Sequence, residues 1–70
     1  MKYRCYFHWL NRNSATTKDC ETIEDCYKAM SEKAKNNNLT FVEIESFDYS
    51  FREVYVAMMD GTGKLRKEIC

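Results

Sequence analysis

The sequence predicts an α+β fold: one helix packed on one face of a four- to five-stranded antiparallel sheet, in the order β-(β)-α-β-β-β. Three observations carry this. A single stretch has the helical period, three others alternate with the period of a strand, and Asp60-Gly61-Thr62-Gly63 is a strong turn signal between two of the strands. Seventy residues allow one domain, spanning 1–70, near the lower size limit for an independent core.

The helix is expected from Thr22 to Asn38. Ile23, Cys26, Tyr27, Met30 and Ala34 make one apolar stripe, while Glu24, Lys28, Glu32 and Lys35 fall on other faces. Thr22 is a suitable N-cap because its hydroxyl can accept from a first-turn amide, and Asp25 stands at the position of a capping box. Acidic residues at the start and Lys33 and Lys35 at the end complement the helix dipole. Asn36-Asn37-Asn38 is expected to stop the helix, since Asn tolerates the left-handed conformation of a C-cap.

Before the helix, residues 2–10 alternate. Tyr3, Cys5, Phe7 and Trp9 share one face, and Lys2, Arg4, Tyr6, His8 and Leu10 the other. Residues 11–14 read as a turn, and 15–21 as a short edge strand or an extended lead into the cap. After the helix, residues 39–47 set Val42 and Ile44 against Phe41, Glu43, Glu45 and Phe47. A short hairpin loop at Asp48-Tyr49-Ser50 leads to residues 51–59, with Val54, Val56 and Met58 expected inward and Glu53, Tyr55, Ala57 and Met59 outward. Residues 64–70 form the last strand, with Leu65 and Ile69 inward.

Composition narrows function. Eleven basic and eleven acidic residues cancel, which argues against both a bulk electrostatic grip on nucleic acid and an acidic DNA mimic. No window approaches a membrane span, and Met1-Lys2 is followed by alternation rather than the apolar run of a secretory signal. A cytoplasmic location is therefore expected, with Cys5, Cys20, Cys26 and Cys70 as reduced thiols.

No catalytic residue, metal ligand set or cofactor is expected. His8 is the only histidine, and Cys5 lies three residues from it on a strand, so the two point to opposite faces. The four cysteines contain no close ligand pair of the kind zinc sites use, so Cys26 and Cys5 read as small core residues of the helix and sheet. Gly61-x-Gly63 precedes no helix and is a hairpin turn rather than a phosphate loop.

One helix covers one face of a sheet. The other face would carry Tyr6, His8, Phe41, Phe47 and Tyr55, with Arg4 beside them. A solvated sheet face normally shows polar alternation, whereas grouped aromatics suit a partner-binding surface. Arg4, Tyr6, His8, Phe41, Phe47 and Tyr55 are accordingly the candidate binding residues. The plainer reading is that the aromatics form cross-strand pairs and that Lys2 and Arg4 neutralise Glu43 and Glu45. A single-stranded nucleic-acid binder would use the same face, although no RNP1 pattern is present. Self-association into a homodimer is a third use of it.

Two segments, CETIEDCYKAMSEKA and FVEIES followed by REVYVAMMDGTGKL, resemble small phage and mobile-element proteins of the anti-CRISPR type. The resemblance implies a strand–helix–hairpin domain that is not an enzyme. It further implies an inhibitor that occupies the surface of a host protein or ribonucleoprotein complex of a defence system.

Overall fold

A computed structural model describes residues 2–58 and 62–69, with Ile69 described by its backbone. It is one helix on a five-stranded antiparallel sheet, as the sequence predicts. The elements are β1 (Tyr3–Trp9), β2 (Thr16–Cys20), α1 (Ile23–Lys33), β3 (Leu39–Ser46), β4 (Arg52–Ala57) and β5 (Leu65–Ile69). The spatial order is β2-β1-β3-β4-β5. β1 and β2 form the first hairpin, and the connection through α1 brings β3 antiparallel against the free side of β1. The 15–21 stretch is therefore a strand, and it is an edge. Both edge strands, β2 and β5, are five residues long and carry charged side chains, features that disfavour pairing with another sheet.

The helix begins as expected. The Asp25 amide donates to Thr22 Oγ1 at 3.2 Å, and Thr22 is extended. It ends earlier than expected, at Lys33, with Ala34 in the right-handed conformation at the C-cap. None of the three asparagines takes the left-handed conformation; among non-glycine described residues only Tyr49 does. Instead Asn36 Oδ1 accepts from the Asn38 amide at 2.9 Å, an Asx turn that carries the chain into β3. The Leu10 amide donates to the Asn38 carbonyl at 2.7 Å, tying this turn to the end of β1. Leu39 is buried through a register shift between His8 and Trp9, which lets it pair with Trp9.

The helix lies over β1, β2 and β3. Beneath it Cys5, Phe7, Cys20, Cys26, Ala29, Met30, Ala34, Leu39, Val42 and Ile44 form one buried cluster. The inward face of β1 is the one its alternation predicts, with Tyr3 and Trp9 packed at the margin of that cluster.

β4 is turned over relative to expectation. A three-residue loop at 48–50 would oppose Phe47 to Phe51 and put Val54 and Val56 inward. The structure opposes Val42 to Tyr55 and Ile44 to Glu53, so Tyr55 and Glu53 share the helix side of the sheet. Val54 and Val56 pair with Glu43 and Phe41 on the open side. A one-residue slip exchanges every side chain between faces. The slip originates in the loop, which has four residues, 47–50, closed by the Ser46 amide donating to the Phe51 carbonyl at 3.0 Å. Tyr49 takes the extra residue with φ 61°.

Asp48 holds this loop. Its Oδ1 accepts from Ser46 Oγ (2.7 Å), Ser50 Oγ (2.7 Å) and the Ser50 amide (3.0 Å), while Ser46 Oγ accepts from the Phe51 amide (3.0 Å). Val54 is still buried, but it stands apart from the main cluster, and Met58 is 43% exposed rather than inward. The expected placements of Met59 and the Ile69 side chain fall outside the described residues. In the β4–β5 connection Gly63 has φ +72°, as the turn signal requires, and a Cβ there would lie 3.4 Å from the Ala34 carbonyl oxygen; Gly61 lies outside the described residues.

Hydrogen bonds from Ser50 and Ser46 hold the Asp48 carboxyl down to about 2. A depressed carboxyl stabilises the fold above its unfolded value of about 4 and loses that contribution as pH falls through about 2. Urea unfolding midpoints should therefore fall between pH 4 and pH 2, and Asp48→Asn should show a shallower fall over that interval. An unchanged acid limb in the variant would remove Asp48 from the register-setting role.

Candidate functional site

The open face of the sheet is built from the alternate residues of β1, β3 and β4, and it proves to be a lattice of paired charges. Arg4 Nε is 2.6 Å from Asp19 Oδ1, with a second hydrogen bond from Nη2 to Oδ2 at 3.1 Å. The fork geometry of the guanidinium makes this pair bidentate. The Arg4 hydrogen bond holds the Asp19 carboxyl below its usual range. On β3, Glu43 meets two side chains, the His8 imidazole Nε2 at 2.8 Å and the Arg52 guanidinium Nη2 at 2.6 Å. Burial pushes Glu43 up, but the Arg52 and His8 hydrogen bonds outweigh it and leave the carboxyl lowered.

The aromatics join this lattice. His8 stacks on Phe41 with centroids 3.9 Å apart and planes 7° from parallel. The Arg4 guanidinium lies 5.2 Å over the Phe47 ring. Of the six candidate residues, Arg4, Tyr6, His8 and Phe41 thus share this face, with Phe47 folded back onto it from the loop. The centre of the face is internally satisfied. Exposure rises at one corner, where Phe47 is 46% and Tyr49 78% exposed. Arg4, Tyr6, Glu45, Ser46, Phe47 and Tyr49 line a shallow pocket there. Tyr49 was not among the sequence candidates. Its signal is its place at the tip of a hairpin loop, where side chains that the fold does not need are displayed.

Tyr55 does not belong to this face. It sits on the helix side, with its ring edge-on to Tyr27 at 6.2 Å. Both phenol hydroxyls donate to Glu53 Oε1, Tyr27 at 2.8 Å and Tyr55 at 2.9 Å, and Lys67 Nζ is 2.8 Å from Glu53 Oε2. Glu53 is 6% exposed. Burial works against its ionisation, but the Lys67, Tyr27 and Tyr55 hydrogen bonds prevail and lower the carboxyl. Burial and the Glu53 charge raise both phenols. A buried carboxylate with three donors is a satisfied structural network, and it joins α1 to the β4–β5 hairpin. Among the described residues no buried side-chain polar atom lacks a partner.

A second constellation lies in the core. Cys5 on β1, Cys20 at the end of β2 and Cys26 in the first turns of α1 are free thiols whose sulfurs lie within 4.8 Å of one another. Both expected core cysteines are indeed buried, but the sequence reading does not foresee that they meet, or that Cys20 joins them. The available signal is the hairpin register. The pairs Cys5–Lys18 and Tyr3–Cys20 make Cys5 and Cys20 diagonal neighbours on the helix side, under the stripe that carries Cys26. Burial lifts the Cys5 thiol to about 11 and raises Cys26 further. These are neutral thiols at rest.

No protein-family profile, curated protein sequence or solved structure matches this chain. Among the described residues no helix is long and apolar enough to cross a membrane.

Glu53→Ala should lower stability by about 1–3 kcal/mol, because it removes the carboxylate on which the Tyr27 and Tyr55 hydroxyls converge. Tyr27→Phe, which removes one donor and leaves the carboxylate two partners, should cost about 1 kcal/mol. Chemical denaturation of both variants checks this ordering, and a Glu53→Ala variant as stable as the parent would contradict the network.

Proposed function

We propose that this chain is a small, non-enzymatic protein-binding module that acts by occupying a surface of its partner. The observation that carries the reading is the corner formed by Tyr6, Phe47 and Tyr49 beside Arg4. Tyr, Phe and Arg are the residue types enriched in interface cores, and Tyr and Arg recur among the few residues that dominate binding energy. Tyr49 is 78% exposed at the tip of a loop whose backbone is fixed by Asp48, so the ring is presented with little backbone entropy left to lose. The surrounding ion pairs form the polar rim such a contact needs.

The partner class follows from the resemblance of the helix and hairpin segments to small mobile-element proteins: a host protein or ribonucleoprotein complex of a bacterial defence system. Single-stranded nucleic acid is the weaker reading. Arg4, His8 and Arg52 are each committed to a carboxylate on the face that would have to track a phosphate backbone.

Purified CRISPR effector complexes, assayed for cleavage of their target, provide the test. The parent chain should inhibit at near-stoichiometric concentration. The double variant Phe47→Ser, Tyr49→Ser should lose inhibition at least tenfold while keeping its circular dichroism, with its melting temperature lowered only by the lost Arg4–Phe47 contact. Tyr55→Ser should instead lower the melting temperature. No inhibition of any effector would overturn the partner class, and inhibition retained by the double variant would overturn the corner. Salt-dependent binding to an oligonucleotide would favour the nucleic-acid reading, and a dimer in sedimentation that the double variant abolishes would make a second copy the occupant.

A further inference from the structure

We propose that Cys5, Cys20 and Cys26 form a three-thiolate site for a soft d10 metal ion, and that Cu(I) is the ion its donor set fits. Three consecutive elements, β1, β2 and α1, deliver one sulfur each to a single point, at residues 5, 20 and 26, with all three sulfurs within 4.8 Å of one another. Three sulfurs at about 2.3 Å from a central ion lie about 4 Å apart in a trigonal plane. Closing the cluster onto an ion therefore asks each sulfur to move by well under 1 Å. Side-chain torsions supply that without moving the strands.

The donor set selects the metal. All three ligands are soft sulfur, which favours Cu(I) and zinc over magnesium, calcium or manganese. Zinc in a structural site takes four protein ligands. Among the described residues no fourth histidine, cysteine or carboxylate stands with the three. The thiols are nearly or wholly shut from solvent, at 0%, 4% and 0% exposure, so a completing water has little access. A trigonal closed site matches Cu(I), which accepts three thiolates.

The protein supplies partial compensation for the charge that results. Lys18 lies directly across β1–β2 from Cys5 and favours its thiolate. Cys26 stands in the N-terminal part of α1, where the dipole favours an anion. Binding is written as three neutral thiols plus Cu(I), giving the tris-thiolate complex and three protons. No electron moves, and the protons leave to solvent.

Anaerobic titration of the reduced full chain with Cu(I), against a chromophoric Cu(I) chelator, tests the site. The expected result is one ion per chain by native mass spectrometry, about three protons released per ion near neutral pH, and a raised melting temperature. Cys20→Ser, at the edge of the cluster, should weaken binding about a hundredfold or more, whereas Cys70→Ser should bind as the parent does. Proton release and stoichiometry are read on the unaltered chain, so they decide the matter even if the core variants fold poorly. No uptake at one equivalent, release of fewer than two protons, or binding that depends on Cys70 instead of Cys20 would each overturn the site. Zinc bound in preference to Cu(I) would overturn the three-coordinate assignment.

Discussion

The pairing of β3 with β4 is the constraint on which the rest of this structure depends. Two registers one residue apart were open to these strands, and they differ in which half of β4 the helix side receives. Hydrophobic pattern alone favours the register that buries Val54 and Val56 under the helix. The observed register buries Tyr55 and Glu53 instead. Asp48, Ser46 and Ser50 tip the choice, because a four-residue loop satisfies their donors and acceptors among themselves. A buried carboxylate is the consequence, and it is tolerated because two phenols and an ammonium converge on it. Local turn chemistry has here outweighed a preference for apolar burial, and the network around Glu53 makes the outcome self-consistent.

That register also defines the open face. With Tyr55 removed to the helix side, the aromatic face thins at its centre, and Val54 and Val56 take positions beside Glu43 and Phe41. What remains central is internally paired, with Arg4, His8 and Arg52 each meeting a carboxylate of β2 or β3. Cross-strand pairing describes the middle of the face, and the proposed binding surface is the loop-end corner, where Phe47 and Tyr49 are exposed. Strand alternation assigned Arg4, Tyr6, His8 and Phe41 to this face as the structure has them. It assigned Phe47 there as a strand residue, whereas β3 ends at Ser46 and Phe47 reaches the face from the loop. Tyr55 was misplaced because alternation gives the relative facing of residues within one strand and says nothing of its phase against the next.

The cysteines illustrate the same limit at longer range. Burial of Cys5 and Cys26 follows from the amphipathic pattern of their own elements, and both are fully buried. Their meeting with Cys20 requires the β1–β2 register and the placement of α1 over that hairpin, neither of which any local pattern encodes. Zinc motifs are recognised by close ligand pairs because a single turn then holds two ligands. A site assembled from a strand, a strand end and a helix leaves no such mark.

By itself the sequence determined the order of the helix and of every strand but β2, the strand faces of β1 and β3, the start of the helix and the α+β class, since these rest on periodicity and capping within a few residues. It also determined charge neutrality, and with it the small part that bulk electrostatics can play. Tertiary structure alone decided the end of the helix, the phase of β4, the burial of Glu53 and the convergence of three thiols. Each of these is a relation between segments, set by loop closure and by which partners can satisfy a polar group once water has been excluded.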